Sequence, residues 1–314
     1  MVTASSGIHH ITAMAGDPQK NIDFYVKVLG LRLVKKTVNF DDPYTYHFYF
    51  GDESGNPGTI MTFFPWTSRG LRGRKGLGQV TTTSFSVPKH SLKFWQKRLE
   101  SLNIGVAGQF GRFDEQVLTF EDPDGLDIEL IAATNDSPRS GWENGDVPAE
   151  HAIRGFHSAT AAIGNITPTK QMLTEIMGFR EMGTADGRIR LATGNGQPGA
   201  LMDLISPANA LPGSMGVGVV HHIAWRAADA SQQKEMRGQL LHDGQNVTPV
   251  LDRNYFQSIY FREPGGVLFE IATDPPGFAI DETPENLGES LKLPDWLETR
   301  REEIESHLPK IKTK

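Results

Sequence analysis

The chain has 314 residues, a net charge of −7 and 38% hydrophobic residues, the composition of an ordinary globular protein with room for two domains. No apolar run approaches the roughly 20 residues that span a bilayer. The first residues show no basic stretch followed by an apolar core, so we expect no secretion signal, and the acidic charge disfavours nucleic acid. We therefore expect a cytoplasmic protein without a membrane or nucleic-acid partner, in which the basic stretch 69–75 is a solvated turn; the composition allows a homo-oligomer. Because there is no cysteine, any metal must be bound by His, Asp or Glu.

A β-α-β-β-β pattern occurs four times, beginning near residues 7, 78, 154 and 218. Apolar periodicity and turn residues predict first strands at 7–14, 78–87, 154–163 and 218–225, helices at 21–30, 90–104, 169–179 and 230–244, and closing strands at 58–66, 125–132, 198–206 and 267–272. Interior strands are predicted at 44–50, 116–120, 188–192 and 257–261. The pattern predicts an α+β fold built from four βαβββ modules.

Residues 133–152 are rich in turn formers and charge, so we interpret them as a linker between two domains. The predicted domains are 1–132 and 153–280, each containing a pair of modules. Residues 281–314 form the remaining tail, with a predicted helix from Asp295 to His307. The apolar contacts of this helix are predicted to be Trp296, Ile304 and Leu308.

Polar residues recur at two equivalent positions of the modules. Aligning the first strands places four residues at one position: His10, Thr82, His157 and His222. Aligning the closing strands places four more at the other: Phe63, Glu129, Asp203 and Glu270. Two histidines and one carboxylate on one face are typical of a non-haem Fe(II) site that binds dioxygen. His222 and Glu270 complete such a set with either His10 or His157, so the alignment leaves the third ligand open.

The doubled histidines, His9-His10 and His221-His222, occupy equivalent places in the repeat, which favours a site over coincidence. Modules one and two supply too few imidazoles for a metal site at Glu129. We interpret Glu129 as a residue left over from duplication of the module, and we expect its carboxylate to be hydrogen-bonded within its barrel. Four further histidines lie in patterns that predict solvent exposure and no role: His47, His90, His242 and His307.

The motifs HHIT at 9–12, HHIAW at 221–225 and PGGVLFEIATD at 264–274 resemble the vicinal oxygen chelate superfamily of glyoxalases, bleomycin resistance proteins and extradiol dioxygenases. The resemblance covers residues 7–274 and implies curled mixed sheets that form half-open barrels around a metal. Within the superfamily, the motifs look like those of ring-cleaving dioxygenases that act on hydroquinones. In that subgroup modules one and four bind Fe(II), which implies the ligands His10, His222 and Glu270. In classical extradiol enzymes modules three and four bind the metal, which would make His157 the third ligand in place of His10.

The resemblance also carries residues that surround the metal: His9, Thr12, His221, Arg253 and Tyr260. In a regular strand His9 faces away from His10, so its place in the pocket requires a twist or bulge. Tyr260 is expected on the strand beside the carboxylate ligand. Arg253 would neutralise a phenolate, or would pair with Asp252 or Glu263.

The activity implied by the resemblance is Fe(II)-dependent insertion of O2 into a hydroquinone- or catechol-type aromatic. One alternative is a glyoxalase-like lyase or isomerase of the same superfamily, which would use the same pocket with Zn or Ni. The other is a non-enzymatic protein that sequesters a small molecule in a metal-free groove. Metal identity and oxygen uptake distinguish the two enzymes, and a complete set of two histidines and one glutamate argues against the sequestering protein.

Overall fold

The structure, a computed structural model, describes residues 3–66, 71–132, 137 and 139–313. Arg69 and Gly70 of the predicted basic turn lie outside the described residues, as do residues 133–136 and 138 of the predicted linker. No helix in the described ranges is long and apolar enough to cross a membrane.

Each predicted module contributes four strands. Module one contains β1 Ile8–Ala15, β2 Arg32–Asn39, β3 Asp42–Gly51 and β4 Ile60–Pro65, and module two contains β5 Gln79–Ser86, β6 Val106–Arg112, β7 Glu115–Glu121 and β8 Asp127–Ala132. Module three contains β9 Phe156–Ala162, β10 Arg180–Ala185, β11 Arg188–Ala192 and β12 Leu201–Ile205, and module four contains β13 Val220–Ala227, β14 Leu251–Asp252, β15 Phe256–Arg262 and β16 Leu268–Pro276. The predicted strands are thus present, with ends that differ by a few residues.

The strands form two curled sheets of eight strands each, which confirms the predicted mixed α+β fold with half-barrels. One sheet has the order β14-β15-β16-β13-β1-β4-β3-β2, and the other has the order β10-β11-β12-β9-β5-β8-β7-β6. Modules one and four therefore share the first sheet, and modules two and three share the second. Each sheet therefore joins modules from the two sides of the predicted linker. The ranges 1–132 and 153–280 describe segments of sequence, and their division into two domains stays a prediction.

One helix follows the first strand of each module. These helices are α1 Pro18–Ile22, continued by a π-helical stretch Asp23–Val28, then α2 Leu92–Ser101, α3 Ile166–Glu175 and α4 Ala230–His242. Helix α3 begins three residues before the predicted start at 169, because the side chain of Asn165 accepts a hydrogen bond from the amide of Thr167 and caps it. Helix α1 likewise begins early, where Asp17 caps the amides of Gln19 and Lys20.

The tail packs on the first sheet through short elements. They are the 3-10 turns Phe278–Ile280 and Pro284–Asn286 and the helices α5 Asp295–Glu298 and α6 Arg301–His307; a further 3-10 turn, Ala149–His151, precedes module three. The predicted single terminal helix is therefore wrong, since the chain turns between α5 and α6. Ile304 and Leu308 are buried as predicted, but Trp296 is 52% exposed and contacts Phe40, with 5.6 Å between the ring centroids.

Candidate metal centre

Three buried side chains converge in the first half-barrel: His10 on β1, His222 on β13 and Glu270 on β16. Oε2 of Glu270 lies 3.2 Å from Nε2 of His10 and 2.9 Å from Nε2 of His222. The two Nε2 atoms are 3.2 Å apart. Across the described ranges, this is the one group of three His, Asp or Glu residues whose ligand atoms lie close enough together for a metal ion.

Strand register explains the convergence. Glu270 pairs with Ala224 on the parallel strand β13, and Ala224 pairs in turn with His10 on the antiparallel strand β1. Residues in one such row project from the same face of a sheet. His222 shares that face because it lies two residues before Ala224, and it pairs with Thr12. The β1–β13 pair therefore brings together imidazoles from the two ends of the chain beside one carboxylate.

The protonation states of this group suit a cation. Burial alone would raise the pKa of Glu270, but the neighbouring imidazoles of His10 and His222 outweigh it and hold this pKa well below its usual range. Burial lowers the pKa of His222. Oε1 of Glu270 accepts a hydrogen bond from Ser258, whereas Oε2 has no hydrogen-bond partner among the described residues. An ionised oxygen that lacks a donor and faces two imidazole nitrogens fits a divalent metal, which binds deprotonated ligands.

The preceding histidines support the two imidazoles from behind. Nδ1 of His9 lies 2.9 Å from Nδ1 of His10, and Nδ1 of His221 lies 2.7 Å from Nδ1 of His222. Burial lowers the pKa of His9 well below its usual value and that of His221 to about 3, so both are neutral imidazoles, which can accept a hydrogen bond at Nδ1. A ligand imidazole that donates its Nδ1–H in this way keeps Nε2 free for a metal. The bulge expected at His9 is present, because the β1–β13 register shifts between Ile8 and His10.

A cavity of about 330 Å³ opens above His10 and His222. Arg253 and Tyr260 lie in its wall, with Nε of Arg253 3.3 Å from the hydroxyl of Tyr260. Burial raises the pKa of Tyr260, which therefore keeps its proton. The ion pair of Arg253 is with Asp41, at 3.1 Å, so the expected pairing with Asp252 or Glu263 is wrong. These two carboxylates instead accept hydrogen bonds from nearby turn amides.

Sequence reasoning missed His47, which lines the cavity. Its Nε2 lies 2.9 Å from Oγ1 of Thr62, which is 2.7 Å from Oγ1 of Thr12, and its Nδ1 lies 2.8 Å from the hydroxyl of Tyr49. The prediction of solvent exposure is wrong. Because β3 carries aromatic residues on both faces, the alternation of apolar and polar residues does not identify its solvent-facing side. Burial lowers the pKa of His47 well below its usual value. Three other histidines are exposed as predicted: His90, His242 and His307.

Strand register also corrects the alignment of the modules. Each closing strand pairs with the first strand of its module, at Thr62 with Thr12, Glu129 with Ser84, Asp203 with Thr160 and Glu270 with Ala224. Two residues before these partners lie the equivalent positions His10, Thr82, Ser158 and His222. The predicted alignment is therefore wrong by one residue at His157, whose place Ser158 takes. It is wrong in the same way at Phe63, whose place Thr62 takes, since a one-residue shift turns a side chain to the other face.

Arginines occupy the corresponding interior of the second half-barrel. Arg112 donates to both carboxylate oxygens of Glu129, at 2.9 and 2.6 Å, and Arg190 donates to both oxygens of Asp203, at 2.8 and 3.0 Å. The predicted hydrogen bonding of Glu129 is thus confirmed. His157 lies 2.9 Å from Glu115 in this network. Because bidentate guanidinium groups already neutralise the two carboxylates, the second half-barrel has charge balance without a metal.

Replacing Arg112 by methionine is expected to destabilise the fold by about 3–5 kcal/mol, because it leaves the carboxylate of Glu129 buried without its cation. Chemical denaturation measures this loss. Arg112→Met combined with Glu129→Leu, which removes both charges, should recover most of it. The metal content of the folded protein should not change, because the triad lies in the other sheet. Equal destabilisation of the single and double variants would show that packing, not charge, accounts for the effect.

Comparison with known proteins agrees with this fold and identifies the family. The family model of the glyoxalase/bleomycin resistance protein/dioxygenase superfamily matches residues 7–130 and 155–271, so the chain belongs to that superfamily. It is 49% identical to MhqO of Bacillus subtilis, provisionally named a ring-cleaving dioxygenase, over 98% of this chain and 97% of that protein. It is 38% identical to the chlorohydroquinone/hydroquinone 1,2-dioxygenase of Sphingobium indicum, over 95% and 94% of the two chains. A crystal structure of a provisionally named dioxygenase from Bacillus subtilis superposes with a TM-score of 0.94 at 48% identity, covering 99% of each chain.

Proposed function

We propose that this protein is a non-haem Fe(II)-dependent dioxygenase that cleaves the ring of a hydroquinone- or catechol-type aromatic. The observation that carries the proposal is the set of His10, His222 and Glu270, with atoms 2.9–3.2 Å apart, beside a cavity of about 330 Å³. Two imidazoles and one carboxylate with open positions suit Fe(II) in oxygenases. The names of the two relatives, at 49% and 38% identity, support the same reaction class.

Bound Fe(II) would supply a centre at which the ring hydroxyl and O2 are held side by side, which makes their reaction effectively intramolecular. The chain's own groups bind and orient the aromatic. Tyr260 keeps its proton and can donate a hydrogen bond to the ring oxygen, while Arg253, 3.3 Å from the tyrosine hydroxyl, offsets a phenolate charge. His221 lines the cavity as a neutral imidazole and can hydrogen-bond a ring oxygen.

The remaining walls select a flat, apolar molecule. Phe40, Phe64 and Trp66 line the cavity on the module-one side, and Phe256 and Leu268 line it on the module-four side. Apolar walls with a few convergent polar groups are the usual form of a small-molecule site. A benzene ring carrying two hydroxyl groups matches this distribution, since its hydroxyl groups need polar partners and both of its faces can pack against side chains.

Oxygen uptake tests the proposal. Purified protein is loaded anaerobically with Fe(II), and oxygen consumption is followed on a panel of hydroquinones and catechols. We expect one O2 consumed per ring opened, and no uptake by protein loaded with Zn(II), which fills the same site without redox chemistry. Turnover of a glyoxalase-type substrate by the Zn(II) or Ni(II) form, without oxygen uptake by the Fe(II) form, would replace the proposal by the lyase or isomerase alternative.

A further inference from the structure

An ion pair lies at the rim of the cavity. Asp41 lies in the two-residue turn between β2 and β3, and its carboxylate Oδ2 is 3.1 Å from Nη2 of Arg253, in the turn between β14 and β15. The side chain of Asp41 is 73% exposed and that of Arg253 is 18% exposed. Both residues line the cavity, so the pair connects module one with module four at the point where the cavity meets solvent.

The turn holds Asp41 in this place. The backbone amide of Asp41 donates to the side-chain oxygen of Asn39 at 3.0 Å, and the ring of the neighbouring Phe40 packs at 5.6 Å from that of Trp296 in the tail. Asp41 is therefore anchored by its backbone and its neighbour, not by its own carboxylate. An ion pair with one partner this exposed contributes little to stability. Its effect is on the charge that an incoming molecule meets.

Among the described residues that line the cavity, Arg253 carries the one permanent positive side-chain charge and Asp41 the one acidic side chain. A guanidinium group at the edge of an aromatic pocket is a strong binder of carboxylates, because its fork matches their two oxygens. Here that fork already faces the Asp41 carboxylate and the Tyr260 hydroxyl. A ring bearing a carboxylate would have to displace Asp41 from Arg253 and then remain beside its negative charge.

We propose that Asp41 is a specificity-determining residue that makes the cavity select hydroquinones with uncharged ring substituents over those that carry a carboxylate. This inference rests on the proposed function and names its substrate class. Asp41 acts in two ways on a carboxylated ring: it competes for the guanidinium of Arg253, and it repels the like charge at short range. An uncharged ring meets neither effect.

The test compares the protein with its Asp41→Asn variant, which keeps the side-chain shape and the backbone hydrogen bond but removes the charge. The kcat/KM of the Fe(II) protein is measured on hydroquinone and on 2,5-dihydroxybenzoate at low salt. We expect the variant to raise the ratio of kcat/KM for the carboxylated substrate to kcat/KM for the uncharged substrate by about tenfold or more. Asp252→Asn is the matched control, because it removes the same charge from the end of β14, beside Arg253 in the sequence, at a residue that does not line the cavity. The ratio of the two kcat/KM values in this control should stay within about twofold of that in the unmodified protein.

A binding measurement separates this inference from the proposed function. Calorimetric titration of the metal-free protein with benzoate, which has no hydroxyl groups to be oxidised, should show about tenfold tighter binding to Asp41→Asn. The double variant Asp41→Asn/Arg253→Met should lose that gain, since the freed guanidinium provides it. If no substrate supports oxygen uptake but benzoate binding changes as expected, the proposed dioxygenase reaction is wrong, while the discrimination of Asp41 against carboxylates is supported. Unchanged benzoate affinity and an unchanged substrate ratio would overturn the inference.

Discussion

Replacing Glu270 by glutamine is expected to abolish stoichiometric metal binding while the protein still folds. Glu270 is the single carboxylate of the triad, and its Oε2 lies within 3.2 Å of both imidazole nitrogens. An amide carries no charge and is a poor ligand, so affinity should fall by more than the roughly 10–100-fold typical of losing an outer hydrogen-bond partner. The fold should tolerate the change, because the amide oxygen can still accept from Ser258 and a buried charge disappears. Anaerobic titration with Fe(II) and metal analysis of the purified protein measure the loss.

The same substitution in the other half-barrel is the matched control. Glu129 pairs with Ser84 in the register in which Glu270 pairs with Ala224, so the two glutamates are structural equivalents. Glu129→Gln should weaken the ion pair with Arg112 and lower stability, yet it should retain the metal. Stoichiometric Fe(II) in Glu270→Gln would show that this carboxylate is not a ligand.

His10→Ala is expected to lose both metal and oxygen uptake, while His157→Ala retains both. His10 lies 3.2 Å from the carboxylate of Glu270, and removing it leaves two ligands, too few for a stable site of this type. His157 belongs to the other sheet, where it lies 2.9 Å from Glu115, and its loss still leaves that carboxylate paired with Arg190. Metal analysis and oxygen uptake are measured on both variants after circular dichroism confirms folding.

The arrangement of classical extradiol enzymes demands the reverse result. Retention of metal by His10→Ala together with its loss in His157→Ala would therefore move the site to modules three and four. His222→Ala should lose the metal under either assignment, and it provides the positive control for the assay. A variant that fails to fold is recognised by its denaturation curve and excluded from the comparison.

Local patterns in the sequence were enough to predict the modules and most of the residues that the structure brings together. Alternating apolar residues and turn formers specify a strand or helix from its own neighbours, so the βαβββ units could be recognised one at a time. The doubled histidines and the carboxylate at Glu270 stood out because they recur at matching places in the repeat or interrupt an apolar strand. His47 carried no such signal, because aromatic residues surround it on both faces of β3.

Only the tertiary structure decided which modules share a sheet and which imidazole lies beside Glu270. Pairing β1 with β13 joins residues more than 200 positions apart, and no local pattern distinguishes that pairing from one between neighbouring modules. Register decided the rest: a shift of one residue places Ser158, not His157, at the equivalent of His10 and turns the histidine to the opposite face. The ion pair of Asp41 with Arg253 arises in the same way, because two turns from distant modules meet only when the first half-barrel closes.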